Sequence, residues 1–548
     1  MRWALAALLL AACGSAGPAA PVAAPCPLQP GGFTNCIETS GIDVAPGRPA
    51  TALVDSSGAL VADLDEDGLP EIFYWSVSTA GLYHNEGGFE FRNVLAGSGL
   101  DFPVTVGDAG LCPISAGAVG DLDDDGHVDV VLVLGADDAF QARQGRAPRP
   151  PMNRLGVYRN DGRGHFTDVT GAWGFGAAPL PDGLAAFGTN LTLADLNGDG
   201  RLDVVESRHE ERARTLLFLS QPGLVWKEQG DAVFPRSAGL TWSTGFYDWN
   251  HDGLLDYLLL NDKVPGPSQP TSGSISRLYL RDGGGGLVFK EQQVPLLFGT
   301  AASLTPMGMA TGDFDGDGRV DLVLTDSGLH GQLGLHVLSA EQEISGALGL
   351  APGPGKLEHY LEQTGWTPAP IDLDNDGQLD LFASVAPMTD NFAIRHSTIL
   401  LHRTGAGFED ANALLREQPG QRENGAVVAD LDGGGRADIV TSVFKQRPRL
   451  LRNEIAAGHS LTVRLRGTRA NSEGLGALVT VEAAGIAPQT FEVSAGGATV
   501  GYGPASRVVG IGAADFADRI TVRWAPAGGT AVQELTHVAA GPVQIVEP

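Results

Sequence analysis

The stretch Asp121–Asp129, DLDDDGHVD, brings four carboxylates onto one short turn. Its pattern, D-x-D-x-D-G-x-x-D, places acids at positions one, three, five and nine. Position seven can offer a backbone carbonyl, and the glycine at position six permits the sharp reversal that wraps these oxygens round one point. Hard oxygen ligands crowded in this way suit Ca²⁺, which accepts roughly six to eight of them in loose geometry. The first half matches an EF-hand loop, but the closing acid falls at nine rather than twelve. The flank differs as well, since VDVVLVL after the loop has strand rather than helix character. A single copy would be ordinary Asp-Gly turn chemistry. There are seven.

The first loop offers Asp63, Asp65, Asp67, the carbonyl of Leu69, and Glu71, and the second Asp121, Asp123, Asp125, the carbonyl of His127, and Asp129. The third offers Asp195, Asn197, Asp199, the carbonyl of Arg201, and Asp203, and the fourth Asp248, Asn250, Asp252, the carbonyl of Leu254, and Asp256. The fifth has Asp313, Asp315, Asp317, the carbonyl of Arg319, and Asp321. The sixth has Asp372, Asp374, Asp376, the carbonyl of Gln378, and Asp380, and the seventh only Asp430, Asp432 and Asp438. These are candidate ligands for up to seven Ca²⁺ ions. Gly434 replaces the position-five acid of the seventh loop and makes that site doubtful. Asn197 and Asn250 keep an oxygen but lose a charge, which lowers the expected affinity of loops three and four. The competing reading is a purely structural turn whose acids hydrogen-bond backbone amides, and it is strongest for loops one and seven.

The loops start 53 to 74 residues apart, the signature of a repeated supersecondary unit. After each loop comes an apolar run such as VDVVLVL or LDLFASV, then a segment with Asn or turn glycines such as LYHNEGGFEF or VYRNDGRGHF. A Phe-led strand follows in FRNVLAGSGL, FTDVTGAWGF, FPRSAGL and FEDANALL. That makes about four strands per unit, the content of a propeller blade. The expected fold is therefore all-β, a seven-bladed β-propeller with a small C-terminal β-rich domain. The last unit stops at ADIVTSVFKQRPRLLRNE without its Phe-led strand. The missing piece stands at the other end, as Phe33–Ile42, so an N-terminal clasp that removes the exposed edges is expected.

Residues 1–12 form an apolar segment too short to span a bilayer and read as a lipoprotein signal peptide. Leu10-Ala11-Ala12-Cys13 has the form of a bacterial lipobox, which makes Cys13 the candidate acylated residue. Residues 13–30 read as a flexible tether, 31–453 as the propeller and 454–548 as the second domain. The expected location is the bacterial outer membrane or cell surface, otherwise the periplasm or the medium, with the membrane touched only through the lipid anchor. Among the remaining cysteines, Cys26–Cys36 and Cys36–Cys112 are both compatible pairs. With 36 Lys and Arg against 65 Asp and Glu, the formal charge of −29 disfavours nucleic acid and anionic membrane surfaces as partners. Two charges per ion for seven Ca²⁺ would bring it to −15.

Three insertions interrupt the rhythm. Asp137–Asn153 carries Arg143, Arg146 and Arg149, Lys263–Ser276 is rich in Pro and Ser, and Ser339–Trp366 holds two short amphipathic helix candidates, AEQEISGAL and KLEHYLEQ. Long loops on a rigid scaffold are where ligand contacts concentrate.

The loops, with GDFDGDGRVD the cleanest, resemble the FG-GAP/VCBS repeats of integrin-α-type propellers over about Phe33–Asn453. Ser303–Gly318, SLTPMGMATGDFDGDG, is similar to the MG-x-A-x-GD stretch of that family. The tail resembles the ASPIC/UnbV domain through LTVRLRGTRANSEGLGALVTV, FEVSAGG, GIGAADFADRITVRW with Trp524, and LTHVAAGPVQIVE. The order of repeats and tail is that of cartilage acidic proteins. The resemblance implies a propeller that binds calcium on one face and is secreted or held at a surface, and it implies little about activity.

Enzymatic signatures are sparse. There is no HExxH, GxSxG or P-loop; Asp326-Ser327-Gly328 follows a strand, and Arg208-His209-Glu210-Glu211 reads as a charged exposed turn. Trp242, Trp249 and Trp366 are candidates for a sugar-binding face, with core packing as the alternative. The leading expectation is a monomeric, non-enzymatic interaction or adhesion protein whose loops meet an extracellular glycan or protein ligand. A calcium-dependent polysaccharide lyase or phosphoester hydrolase is the alternative, and a structural platform for the C-terminal domain is a third class.

Overall fold

The computed structural model describes residues 26, 29–43, 57–76, 79–100, 114–134, 154–175, 188–208, 215–234, 240–262, 276–284, 286–292, 306–326, 335–339, 342–350, 364–386, 398–416, 423–443, 446–494, 501–525 and 531–548. The signal segment with Cys13, Cys112, the insertion Asp137–Asn153, almost all of Lys263–Ser276, and KLEHYLEQ lie outside the described residues.

Among the described residues, the strands between Phe33 and Asn453 form seven sheets, each built on four antiparallel strands in succession. The second sheet shows the logic. Ile114–Gly120 leads into the acidic loop, Asp129–Leu134 returns, and Arg154–Asn160 and Phe166–Asp168 complete the meander. Asp129–Leu134 is buried along its whole length, and a strand covered on both faces reads as a continuous apolar run. The first strand of every sheet lies innermost, and each packs on the next. The seventh, Glu423–Ala429, packs back on the first, Gly58–Ala62, which closes a ring. Crowding at this axis explains the small residues of the inner strands. A Cβ on Gly245 would lie 1.7 Å from Met309 Cε of the next inner strand.

Six of the seven inner strands carry a register shift near their start, at the end of the ring away from the acidic loops. Neighbouring sheets are stitched together there through hydroxyls. Thr189 Oγ1 donates to the Thr241 carbonyl at 2.9 Å, Thr325 Oγ1 to that of Trp366 at 3.0 Å, and Thr367 Oγ1 to that of Asn424 at 2.9 Å. Each bond satisfies a buried carbonyl that a regular ladder would otherwise have to pair.

The clasp forms as expected. Phe33–Asn35 pairs antiparallel with Arg449–Asn453 as the outermost strand of the seventh sheet, with Phe33 fully buried. A disulfide joins Cys26 to Cys36, and Thr34 Oγ1 donates to Glu454 Oε2 at 2.8 Å.

Beyond Asn453 the chain forms two further sheets. In one, His459–Arg466 lies between Arg507–Gly512, antiparallel, and Gly541–Val546, parallel. The other runs Gln489–Glu492, Leu478–Glu482, Phe516–Arg523, Val532–Ala539. Leu461, Val463, Trp524 and Ile545 from this domain share one apolar cluster with residues of the first three ring sheets. A short strand, Gly501–Tyr502, leaves the domain and pairs in parallel with Ala59–Leu60, where it also touches the inner strands of the second and seventh sheets.

Several expectations are corrected. The described part of AEQEISGAL is not helical: Gln342–Glu343 pairs with Leu338–Ser339, and a turn over 345–349 follows, because so short an amphipathic run, weakened by Gly346, has little helical preference of its own and the sheet edge takes it. Phe234 leads no strand; it follows the four-residue helix Gly230–Val233, and Val225–Glu228 supplies the fourth strand of that sheet. Arg208 is not in an exposed turn but ends a strand, buried and paired with Glu206 at 2.8 Å. Trp242 and Trp249 are buried, and Trp242 meets Trp366 edge-on at 5.5 Å, which is packing rather than an open aromatic platform.

Candidate metal loops and the domain that covers them

All seven acidic turns connect a first strand to a second, so they emerge at one end of the ring. Their carboxylates carry backbone duties first. Asp121 accepts the amides of Asp125 at 3.2 Å and Gly126 at 2.7 Å, and Asp248, Asp372 and Asp430 repeat this pair of bonds. The position-five acid accepts the position-seven amide, as in Asp125 to His127 at 2.9 Å. The acid at nine accepts the position-two amide in every loop, from Leu64 to Glu71 at 2.7 Å through Leu431 to Asp438 at 3.0 Å. In six loops its second oxygen takes an amide from the third strand, for example Asn160 on Asp129 at 2.8 Å and Ser220 on Asp203 at 2.7 Å, while Asp321 Oδ1 of loop five takes none among the described residues. Glu71 reproduces both bonds, so the longer acid keeps the geometry of loop one. The backbone enters the left-handed region at position four, as at Asp124 and Asn375, and again at the position-six glycine, as at Gly126 and Gly377.

The oxygens left over converge. Asp63, Asp65 and Asp67, then Asp121, Asp123 and Asp129, then Asp313, Asp315 and Asp321 each place acceptor atoms within 4.8 Å of one another. Asp63 Oδ1 and Asp123 Oδ1 are shielded from solvent without a hydrogen-bond partner among the described residues. Several acidic clusters are therefore able to hold a metal ion. Burial raises the first and the ninth carboxyl of each loop. Asp203 is pushed up to about 8 and Asp380 to about 9, mainly by desolvation and further by neighbouring acids. Burial likewise lifts Asp129 and Asp438 well above the ordinary range. A cation placed among them would relieve that cost.

The third strand decides what balances each loop. Strand register places His84, Arg159, Leu219, Leu280, Ser339, His402 and Arg452 at equivalent positions of the seven sheets. Arg159 Nε lies 2.6 Å from Asp123, and its Nη2 also pairs with Asp125. Arg452 Nη2 lies 2.8 Å from Asp432 in the seventh loop, where Gly434 has removed an acid. His84 Nδ1 lies 2.9 Å from Asp65, and His402 Nε2 3.5 Å from Asp374. These four side chains were missed in the sequence. For His84, Arg159 and Arg452 the available signal was their place just before the Asn of LYHN, VYRN and LLRN, whereas His402 precedes Arg403 and carried no such mark.

The C-terminal domain sits on the loop end of the ring and reaches every loop. Arg464 Nη1 lies 3.4 Å from Asp63. Ser472 Oγ donates to Asp121 Oδ2 at 2.6 Å, while Glu473 Oε2 accepts the Asp121 amide at 2.9 Å. The Arg469 carbonyl abuts Gly200, and Ala487 borders Gly316. Glu492 Oε2 accepts the Asp248 amide at 3.4 Å, the Gly458 amide donates to the Asp374 carbonyl at 2.7 Å, and Ser460 Oγ donates to the Gly435 carbonyl at 2.6 Å. Buried Glu473 and Glu492 are pushed up to about 7 and about 8, first by desolvation. A cavity of about 1080 Å³ remains between loops one and seven and this domain, bordered by Asp63, Arg436, Arg464 and Glu473.

A family model for the FG-GAP-like repeat matches residues 121–206 and 248–324, and one for ASPIC and UnbV matches 467–547. The chain is an FG-GAP-repeat protein with an ASPIC/UnbV domain. Cartilage acidic protein 1 of Xenopus tropicalis is 28% identical over 174 residues, a match covering 31% of this chain and 24% of that protein. The mouse (Mus musculus) protein of the same name is 27% identical over 176 residues, with the same coverage. The match thus spans about a quarter of the length of these relatives. Among solved structures, an Agrocybe aegerita lectin that recognises non-reducing terminal N-acetylglucosamine aligns at 16% identity and TM-score 0.40, covering 70% of this chain and 88% of its own. A Burkholderia pseudomallei lectin aligns at 11% and 0.39, covering 73% and 96%. A Bacillus licheniformis rhamnogalacturonan lyase aligns at 14% and 0.37, covering 76% and 75%. No helix among the described residues is long and apolar enough to cross a membrane.

Proposed function

We propose that the chain is an exported, calcium-stabilised interaction protein of the adhesion type, whose FG-GAP ring presents a glycan- or protein-binding face outside the cell. The observation that supports this reading is the convergence of carboxylates at one end of the ring, with Asp63 Oδ1 and Asp123 Oδ1 buried and free of donors among the described residues. Ca²⁺ fits this hard-oxygen chemistry. Loop five is its best host, because Asp313, Asp315 and Asp321 converge there and Ser339 brings no cation from the third strand, whereas loops three and four have each lost an acid and lie near Arg281. In loops two and seven the ion competes with Arg159 and Arg452. Calcium serves the scaffold, each site adding about 2.7 kcal/mol at a hundredfold excess over its Kd.

The ASPIC/UnbV domain occupies the loop end, so the ligand face belongs at the opposite end. There Asp129–Leu134 ends and Arg154–Asn160 begins. In this reading Cys13 carries the lipid that holds the molecule at a bacterial surface, and the ring works as a monomer without chemistry of its own.

Thermal melts with Ca²⁺, with Mg²⁺ and with a chelator test the scaffold. A rise of several degrees specific to Ca²⁺ is expected, and equal melts with metal-free loops in all three would remove the calcium reading. Glycan-array capture in Ca²⁺ that disappears when Asp137–Asn153 is shortened tests the ligand face. Turnover of a polysaccharide by the same preparation would favour an enzyme instead.

A further inference from the structure

We propose that loops one and six are sites for a borderline divalent cation of the zinc class, each held by one imidazole and two carboxylates, distinct from the calcium loops of the same ring. The ligands are Asp65, Glu71 and His84 in the first loop and Asp374, Asp380 and His402 in the sixth, and in each set the donor atoms lie within 4.8 Å of one another.

The sixth loop carries the argument furthest. His402 Nε2 stands 3.5 Å from Asp374 Oδ2 and 4.0 Å from Asp380 Oδ1. Both His402 Nε2 and Asp374 Oδ1 are shielded from solvent, and neither has a hydrogen-bond partner among the described residues. The imidazole nitrogen faces Asp374 Oδ2 without forming a hydrogen bond, and a shielded nitrogen and a shielded oxygen left unsatisfied in one cluster are costly unless a third body lies among them. Asp380, 1% exposed, is held in place by the amides of Leu373 and Arg403, the kind of outer hydrogen bonding that orients a metal ligand. In the first loop His84 Nδ1 lies 2.9 Å from Asp65 Oδ2 and 3.2 Å from Glu71 Oε1, and buried Glu71 is oriented by the Leu64 amide at 2.7 Å. A metal there takes the place of the ring proton.

Ligand chemistry separates the two kinds of ion. Ca²⁺ is satisfied by oxygen alone, whereas imidazole beside carboxylate suits zinc and its neighbours in the first transition row. The other five loops carry Arg, Leu or Ser at the position of these histidines. A guanidinium never loses its charge to become a ligand, and leucine has no donor. The proposal rests on the histidines and stands apart from the calcium reading.

The metal-stripped full-length chain, equilibrated with several millimolar Ca²⁺, is dialysed against Zn²⁺. Two equivalents retained against the excess Ca²⁺ are expected, falling to one in His402→Gln and to none in the His84→Gln/His402→Gln pair. Should that pair fail to fold, Asp65→Asn/Asp374→Asn removes the carboxylate side of both sites and is expected to give the same loss. Zinc displaced by Ca²⁺, or uptake unchanged in the folded double variants because other histidines bind it, overturns the proposal. Zinc retained by a chain whose melt ignores Ca²⁺ supports it while removing the calcium reading.

Discussion

Loops two and three carry nearly the same acids and are balanced differently. In loop two the Arg159 guanidinium reaches Asp123 and Asp125, so the chain supplies its own counter-charge. In loop three the equivalent residue is Leu219, and Asp199 is met by the Ser220 hydroxyl at 2.7 Å and, more loosely, by Arg201 of the loop itself at 3.4 Å. Yet the internal frame is shared, with Asp129 and Asp203 accepting the same two amides. The nine-residue motif is thus a folding device first and a ligand set second. The residue on the third strand sets how much of the surplus charge is left for a metal.

The largest expected effect lies in the shared frame. Asp203→Ala strands the amides of Leu196 and Ser220 in a fully buried site and should cost about 2–5 kcal/mol in denaturant unfolding, with or without Ca²⁺. A loss below about 1 kcal/mol would show that the frame is dispensable and that the two loops share only sequence. Next comes Arg159→Gln, which should convert loop two into the loop-three kind. One further equivalent of Ca²⁺ is expected by equilibrium dialysis, at a cost below about 1 kcal/mol in chelator because Arg159 is 43% exposed. Unchanged calcium uptake would break the comparison. The smallest effect is expected from Arg452→Gln. With Gly434 in place of an acid, loop seven should gain no calcium and lose only about 1–2 degrees in Tm. A gained ion there would mean that position five is not required.

The ring was legible in the sequence because its two strongest signals are local. Asp-Gly turns at fixed offsets and apolar runs after them mark the first two strands of every sheet, and the unpaired end at Asn453 points to Phe33. What escaped depends on register across strands. His84, Arg159, His402 and Arg452 lie on a third strand, and only the hydrogen-bonded ladder shows that they face the loop before them. Phe234 and AEQEISGAL misled because a hydrophobic start and a short amphipathic run each fit more than one state, and packing chose. Spacing left Cys26–Cys36 and Cys36–Cys112 both open and only the structure chooses the first, while the seating of the ASPIC/UnbV domain over the loops is a contact that no spacing rule anticipates.

The Gly501–Tyr502 strand, seated beside Ala59–Leu60 and against the inner strands of sheets two and seven, bears on how the molecule comes apart. A ring of repeats is close to a one-dimensional array in which each unit feels only its neighbours, and such arrays can fray unit by unit. A peg that grips the first and last units together from the axis ties their loss to its own release. Its docking surface exists only once the circle has closed, so the C-terminal domain settles last and reports on completion. Unfolding should then pass as one transition rather than a series, with heat and denaturant probes in either domain giving coincident midpoints.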